Sequence, residues 1–438
     1  MHVIQDVCVI PVEGANRLPH HDVVVRDGVI EAVLPTGGSL ADDATVIDGR
    51  GRFAMPGLID SHVHYYYPDD EETEAFDLDA LNATWLELSL VNGVTSTLCL
   101  CGFPGLLPLR EQVAAGTLDG PTIYTSGPGH NDPEQTYEEA RAEVADQAAR
   151  GYDMVKVYTD LSKEGYRGVI DEAAEQGLRV VGHVPTVIGL DGVLAAGQTS
   201  IVHAEEICYG AFDFRTRRAV YDWVEDPPLR IEELRRICGR IAEAGVTMMP
   251  TLSPYYAICQ QAENTHAWHR SLPEFELLEP ALVHQWTHPP DGRYVQQFAA
   301  PWTRRNLFEA FWFQVRLVDE LRRAGVAITA GTDWGVPGAI PGLLPLEVSL
   351  LAIAGLDNEG ALHAGTRASG EFLEPGSGLG TLKPGTRADV LLLDADPLDD
   401  VRNVRQIHGV MTRGRWHDRA DLDARIERMH EAAQAAKA

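Results

Sequence analysis

The chain has 438 residues, of which 45% are hydrophobic, and its 36 Lys and Arg against 65 Asp and Glu give a formal charge of -29. Negative charge in that excess repels phosphate backbones and anionic lipid surfaces, so the composition argues against nucleic-acid-binding and membrane-surface proteins. A run of about 18 apolar residues and a basic, then apolar, N-terminal segment are both absent, so we expect a cytoplasmic protein.

The two ends of the chain have the short apolar runs and glycine-rich turns that are typical of β-strands. Within residues 1–55, Asp27-Gly28 separates two valine-rich runs, which predicts a hairpin. Residues 375–420 have the same character, and residues 421–438 are predicted to form a C-terminal helix. We therefore predict one small β-sandwich domain that is built from both termini.

Strand and helix patterns alternate over residues 56–374, the long middle part of the chain. We predict eight strands there, at residues 56–64, 93–101, 121–126, 153–158, 179–184, 199–204, 246–252 and 327–332. Helical patterns lie between them, and several end at a glycine, as at Gly151 and Gly177. Eight β/α units in series predict an α/β fold with a (β/α)8 TIM barrel.

Two connections are too long to be simple turns, at residues 207–229 after the sixth strand and 253–303 after the seventh. Connections of that length in compact domains are usually functional or partly helical. The second is rich in aromatic residues, namely Tyr255, Tyr256, Trp268, Phe275, Trp286, Tyr294, Phe298 and Trp302. We predict that it forms a lid over a pocket, although a dimer contact would have the same composition.

The cysteines are scattered along the chain, at Cys8, Cys99, Cys101, Cys208, Cys238 and Cys259. Scattered cysteines within apolar segments of a long chain predict reduced core residues rather than a disulfide framework. Cys99 and Cys101 share one strand face by alternation. Packing explains this pair better than a thiolate metal site, because no Cys-x-x-Cys motif accompanies it.

Polar residues occur at the ends of five predicted strands, where a barrel places its chemistry. They are His62 and His64 on the first strand, Lys156 on the fourth, His183 on the fifth, His203 on the sixth and Asp333 on the eighth. Singly, each has an ordinary interpretation as a core histidine, a lysine that reaches solvent or a helix cap. Together they supply the nitrogen and oxygen donors of a two-metal site.

Three segments resemble the amidohydrolase superfamily, specifically its imidazolonepropionase and prolidase-like branch. These segments are the run from Pro56 to His64, the triplet Gly331-Thr332-Asp333, and the tail from Gly378 to Val390. With the lysine strand and the two single-histidine strands, the resemblance covers nearly the whole chain. It implies a binuclear metal centre in a (β/α)8 barrel.

The resemblance also implies a role for each of the six polar residues. One metal ion would be bound by His62, His64 and Asp333, the second by His183 and His203, and both would be bridged by Lys156 after its carboxylation by carbon dioxide. An unmodified lysine cation between two metal ions would be repelled, so the carbamate makes a lysine ligand plausible. We expect two divalent ions, zinc first, although the mixed donor set also accepts manganese, iron or cobalt.

Such a centre predicts hydrolysis, because two dications acidify a bridging water until hydroxide exists near neutral pH. Asp333 would take the proton of the hydroxide and give it to the leaving amine. Tyr158, two residues after Lys156, either donates a hydrogen bond to the substrate or packs at the barrel rim. We expect Trp334, Tyr65 to Tyr67 and His130 to line the pocket.

One segment departs from the family pattern. Many relatives carry His-x-Glu after the last catalytic strand, whereas this chain has Pro345 at the histidine position and keeps Glu347. The departure affects the residues around the substrate and leaves the metal ligands unchanged.

We predict hydrolysis of an amide or peptide-like C–N bond in a small molecule, a dipeptide or N-acyl amino acid with a bulky apolar side chain, by a homo-oligomer. Cyclic-amide hydrolysis or deamination is the nearest alternative. Similar deaminases place a glutamate three residues after the fifth-strand histidine, where this chain has Thr186, although Glu206 has that spacing from His203. Lactone, ester or phosphotriester hydrolysis would use the same metals. A non-catalytic scaffold is disfavoured because all the ligand types are present.

Overall fold

The computed structural model describes residues 1–14, 16–38, 44–66, 77–211, 227–287 and 301–436. For residues 208–211, 227–230, 301–304 and 306 it describes the backbone alone. Cys208 and Trp302 therefore have no described side chain, and Tyr67, Tyr294 and Phe298 lie outside the described residues.

Short strands occupy the N-terminal part of the chain. They are β1 (His2–Val9), β2 (Leu18–Arg26), β3 (Val29–Pro35), β4 (Thr45–Asp48) and β5 (Phe53–Pro56). β2 and β3 form an antiparallel hairpin. Its turn places Asp27 and Gly28 at φ 50° and 80°. Positive φ at both central residues is the requirement of a tight hairpin turn, so the predicted Asp-Gly hairpin is confirmed.

The middle of the chain contains parallel strands at seven of the eight predicted places within the described residues. They are β6 (Leu58–Val63), β7 (Val94–Cys99), β8 (Thr122–Thr125), β9 (Met154–Val157), β10 (Arg179–Gly182), β11 (Ser200–Val202) and β12 (Thr247–Met249). One sheet has the order β6-β7-β8, and a second has the order β12-β11-β10-β9. Consecutive strands are neighbours in both sheets, as βαβ units require.

The eighth predicted strand, at 327–332, is replaced by an irregular segment that makes single bridges to both sheets. Ile328 bridges Met248 of β12. Asp333 N donates to His62 O (2.7 Å). Regular pairing is interrupted because the Asp60 carboxylate accepts the backbone N–H (3.0 Å) and the hydroxyl (2.6 Å) of Thr332. Another bridge, Ser126 to Met154, joins the ends of β8 and β9.

Helices connect these strands, and their bounds follow the predicted alternation. They are α1 (Leu78–Val91), α2 (Leu106–Ala114), α3 (Tyr137–Arg150), α4 (Lys163–Gln176), α5 (Gly189–Ala196), α6 (Ala204–Ala211), α7 (Pro227–Glu243), α8 (Leu252–Ser271), α9 (Pro280–Thr287), α10 (Pro301–Ala324), α11 (Leu344–Leu351), α12 (Asp357–His363) and α13 (Ser369–Leu373). Thr136 and Glu139 form a capping box at the start of α3, which ends at Gly151 with φ 82°. Gly177 ends α4 in the same way, with φ 70°.

The C-terminal part of the chain adds strands to the sheet of the N-terminal part. It contains β13 (Val390–Leu393), β14 (Ile407–Thr412), β15 (Arg415–Asp418) and α14 (Arg419–Ala435). The sheet order is β15-β14-β13-β5-β1-β2-β3, with β4 on β1, so one sheet draws strands from both ends of the chain. Among the described residues, no helix combines the length and the apolar character needed to cross a membrane.

The described part of the aromatic connection after β12 is a packed helical layer. It consists of α8, a 3₁₀ turn at Pro273–Leu277 and α9. Trp268, Phe275 and Trp286 are buried in the core, and the Tyr256 ring lies 5.4 Å from that of Phe311 on α10. These aromatic residues pack the layer into the core, and the connection is helical over most of its described part. Its role as a lid over a pocket stays a prediction.

Candidate metal centre

The imidazoles of His62 and His64 meet the carboxylate of Asp333 where β6 ends. Their Nε2 atoms lie 3.2 and 2.9 Å from Asp333 Oδ1. The two Nε2 atoms lie 3.3 Å apart. Nitrogen and oxygen ligands about 2.1 Å from one divalent ion lie roughly 3.0 to 3.4 Å from each other, so these three atoms have the spacing of ligands to a single ion.

His203 and His183 extend this cluster along the neighbouring strand ends. The His203 ring lies 4.8 Å from that of His62 and 4.8 Å from that of His183. Donor atoms of His62, His203 and Asp333 all lie within 4.8 Å of one another. The structure therefore contains a His/Asp cluster that can hold a divalent metal ion.

The backbone around the cluster is strained. His203, Thr251 and Asp333 have φ of 61°, 48° and 52°, the left-handed region that non-glycine residues rarely adopt. Such conformations persist only where surrounding structure enforces them, and they concentrate at functional sites. Gly331 is needed for close approach here, because a Cβ at this position would lie 2.7 Å from the Cβ of His62.

Lys156 is completely buried on β9, and its Nζ has no hydrogen-bond partner among the described residues. Burial lowers the pKa of Lys156 to about 8, although nearby acidic groups, Asp333 first, act in the opposite direction. An uncompensated ammonium in such a place is costly. The site therefore fits a lysine whose charge is removed.

The protonation states of the cluster suit metal binding. Burial lowers the pKa of His62 to about 3 and that of His203 well below its usual range, which keeps both imidazoles neutral. Burial by itself would raise the pKa of Asp333, but the facing His62 and His203 hold it well below its usual value. Neutral imidazole and ionised carboxylate are the forms that ligate metals.

Glu206, at the start of α6, hydrogen-bonds the Nδ1 of His183 (2.8 Å) and accepts a hydrogen bond from Val184 N (3.3 Å). A carboxylate on Nδ1 fixes the tautomer and leaves Nε2 available as a metal ligand. His203 is held similarly, with Nδ1 2.7 Å from Thr251 Oγ1. The spacing of Glu206 from His203 is visible in the sequence, but its pairing with His183 requires the three-dimensional arrangement.

Glu347, the residue retained from the family pattern, has a structural role. Its buried carboxylate accepts the backbone N–H groups of Leu252 (3.0 Å) and Ser253 (2.6 Å), at the first turn of α8. Burial raises the pKa of Glu347 to about 7. Glu347 thus connects α11 to the first turn of α8. This turn directly follows Thr251, whose hydroxyl is hydrogen-bonded to His203.

The cluster opens into a cavity of about 410 Å³. Its walls combine the strand ends with side chains of α8 and α10: His64, Tyr158, His183, His203, Glu205, Thr251, Pro254, Tyr255, Ile258, Gln314, Asp333 and Val336. Tyr158 therefore faces the cavity, and burial raises the pKa of its hydroxyl well above the usual value. A hydroxyl that stays protonated can donate a hydrogen bond to a ligand.

Four of the residues predicted to line the pocket do not line it. Trp334 and Tyr65 are buried and pack on each other (5.0 Å between rings), because they point from the strand ends into the core. Tyr66 packs on Trp85 (5.1 Å), and buried His130 contacts Gln135. Cys99 is buried as predicted. Cys101 lies beyond β7 with φ 97° and is only partly buried, so it is not the predicted core residue.

Comparison with known proteins gives local sequence similarity and similarity of the whole fold. No family model matches the chain. A stretch of 68 residues is 40% identical to the imidazolonepropionase of Chromobacterium violaceum, covering 15% of this chain and 16% of that enzyme. The matched segments span about a fifth or less of the curated relatives.

Solved structures match over nearly the full length. A protein from Bifidobacterium longum provisionally assigned as a prolidase is 26% identical, with a TM-score of 0.68 over 98% of both chains. Bottromycin amidohydrolase is 22% identical, with a TM-score of 0.75 over 99% of this chain and 90% of its own. The local identity, the shared fold and the His/Asp cluster agree with one another: the chain is similar to members of the amidohydrolase superfamily.

Proposed function

We propose that the protein is a metal-dependent hydrolase that cleaves an amide or peptide-like C–N bond. The observation that carries the proposal is the spacing of His62, His64 and Asp333, whose ligand atoms lie 2.9 to 3.3 Å apart. His64 and Asp333 also line the cavity. We also propose that strands β6 to β12 and the irregular segment at 327–333 form a (β/α)8 barrel. Residues 1–55 and 375–420 would form the β domain, and residues 421–438 a terminal helix.

The proposed centre holds two divalent ions, zinc first. His62, His64 and Asp333 bind one ion, and His183 and His203 bind the other. Lys156 would bridge them as a carbamate: its neutral amine would attack carbon dioxide, an N–C bond would form as one C=O π bond opens to an oxyanion, and the nitrogen would lose a proton to solvent. The attack requires a neutral amine, and the lowered pKa of Lys156, about 8, makes the neutral fraction at physiological pH much larger than that of an ordinary lysine. Its Nζ, buried and without a described hydrogen-bond partner, supports this modification.

When bound, the ions supply a Lewis acid for the substrate carbonyl and an acidified water. Asp333 borders the cavity, so its carboxylate can accept the proton of that water and return it to the leaving nitrogen. Tyr158 can donate a hydrogen bond to the substrate oxygen. Glu206 keeps His183 in the ligating tautomer.

The substrate class is a dipeptide or N-acyl amino acid with an apolar side chain. The cavity supports this because Pro254, Tyr255, Ile258 and Val336 give one wall apolar character. Deamination is less well supported. Glu206 would be the proton-transferring glutamate of that reaction, but its carboxylate is hydrogen-bonded to His183 Nδ1 and Val184 N. We also propose that the enzyme is a homo-oligomer.

The test is metal analysis combined with a substrate panel. Protein stripped with a chelator is reloaded with zinc and bicarbonate, and metal per chain is measured by plasma mass spectrometry. We expect about two equivalents, together with turnover of dipeptides and N-acyl amino acids. Two equivalents with turnover of lactones alone would reassign the reaction, and release of ammonia from aminopurines would favour deamination. A chain that binds no metal would refute the proposal.

A further inference from the structure

Gln314, on α10, is a buried carboxamide at the edge of the catalytic cavity. Its side chain is 1% exposed, and it belongs to the cavity wall with Tyr255, Ile258 and Val336. Its Nε2 has no hydrogen-bond partner among the described residues. A buried amide donor without an acceptor is unfavourable, so each such group in a native structure needs an explanation.

Other buried glutamines of the protein use their amide nitrogens. Nε2 of Gln261, on α8, donates to Pro337 O (3.2 Å) and Ala257 O (3.3 Å). Gln198 Nε2 has acceptors at Ser200 O (3.0 Å), His183 O (3.1 Å) and Gly182 O (3.2 Å). Both side chains are as buried as Gln314. Within the part of the chain that the structure describes, the absence of an acceptor for Nε2 thus distinguishes Gln314 from these two glutamines.

We propose that Gln314 determines specificity by binding a second amide group of the substrate, one that lies beyond the scissile bond. This inference rests on the proposed function and narrows its substrate class. A simple dipeptide or N-acyl amino acid has only the scissile amide, so the substrate would be an N-acyl dipeptide or an N-acyl amino acid amide. A carboxamide presents a donor and an acceptor side by side, so its complement is the N–H and C=O of another amide. A carboxylate would satisfy Nε2 but place its lone pairs against Oε1 of Gln314.

The size of the cavity agrees with a substrate that extends past one amide. A volume of about 410 Å³ lies in the range of pockets that enclose whole small molecules, roughly 300 to 1,000 Å³. The metal ligands occupy one wall, and Gln314 lies among the apolar residues of the other. A substrate with an apolar side chain next to a second amide would contact both Gln314 and its neighbours.

The kinetic test uses two p-nitroanilides that differ by one acetamido group. N-acetyl-L-phenylalanine p-nitroanilide has the second amide, and 3-phenylpropionic acid p-nitroanilide lacks it. We expect the wild type to prefer the first in kcat/KM by at least about fivefold, the worth of one net hydrogen bond. Gln314→Leu should bring this ratio to about one, whereas Gln261→Leu should keep it. An unchanged ratio in Gln314→Leu would overturn the proposal.

A second measurement does not depend on activity. Thermal unfolding should show that Gln314→Leu keeps or raises Tm, because it removes an unsatisfied buried donor, whereas Gln261→Leu lowers Tm by at least about 2 °C. A fall of that size for Gln314→Leu would show that the carboxamide is structural and would contradict the proposal.

The outcome for Gln314 can be separated from that for the reaction. If the wild type cleaves neither anilide, amide hydrolysis fails for this class, and calorimetric binding then decides the role of Gln314. The probes are N-acetyl-L-phenylalaninamide and 3-phenylpropionamide. Tighter binding of the first to the wild type, lost in Gln314→Leu, supports the inference, and equal binding of both overturns it.

Discussion

The cavity beside the His/Asp cluster has two walls of different origin. The first consists of strand ends. His62 lies in β6 near its end, and His183 and His203 directly follow β10 and β11. The second consists of α8, which lies in the long connection after β12, and of α10, the helix that follows this connection. These helices supply Tyr255, Ile258 and Gln314. The first wall has the nitrogen and oxygen donors that the proposed metal-dependent hydrolysis needs. The second has the side chains that can distinguish one substrate from another.

This difference between the walls predicts two classes of effect for substitutions. Changes at the strand ends should alter metal content and the rate for every substrate. Changes on the helical wall should alter the choice of substrate or the attachment of the helices and leave the metal content unchanged.

The largest effect is expected from Lys156→Ala. The variant removes the proposed bridge, so bound metal should fall from about two equivalents to one or fewer. The value of kcat/KM should fall by more than the about 10- to 100-fold that is usual for residues behind the ligands. Metal analysis and kinetics on the same sample measure both effects.

Lys163→Ala is the matched control, because Lys163 is exposed at the start of α4. It should keep metal and activity. Added acetate or formate should restore part of the metal and activity of Lys156→Ala, because a free carboxylate can occupy the position of the carbamate. Full metal content in Lys156→Ala would remove the lysine from the ligand set.

A smaller effect on the same wall is expected from Glu206→Gln. The amide can keep a hydrogen bond to His183 Nδ1 but loses the negative charge, so metal affinity should fall by about 10- to 100-fold. Competition with a chromogenic chelator measures this change. Glu164→Gln, an exposed change on α4, should leave the affinity unaltered. Equal affinities of Glu206→Gln and wild type would show that the carboxylate does not orient the ligand.

The sequence predicts the first wall far better than the second. Alternation along a strand is a local property, so His62 and His64 can be paired from the sequence alone, whereas Asp333 is grouped with them only through the resemblance to the amidohydrolases. The irregularity at 327–333 cannot be predicted in this way, because it depends on Asp60 and Thr332, 272 positions apart. Gln314 does not stand out either, since a glutamine in a helical pattern gives no signal of an absent partner.

The role of Glu347 could not be predicted from the sequence for the same reason. The sequence comparison relates it to the substrate, whereas in the structure it binds the first turn of α8. Burial raises the pKa of its carboxyl to about 7, above its ordinary value of about 4.3. Between these values the folded protein binds more protons than the unfolded chain. This contribution to the free energy of unfolding is present below about pH 4 and is lost as pH rises through 7.

The smallest effect is therefore a pH-dependent difference between wild type and Glu347→Gln, which cannot ionise. The wild type should lose about 1 to 2 kcal/mol relative to the variant between pH 5 and pH 8, since each pKa unit corresponds to about 1.4 kcal/mol. Urea unfolding of chelator-treated protein at both pH values measures it, with Glu164→Gln as the control. If the difference in unfolding free energy between wild type and variant did not change with pH, Glu347 would be ionised in both the folded and the unfolded protein. The N–H groups of the first turn of α8 would then stabilise a buried negative charge.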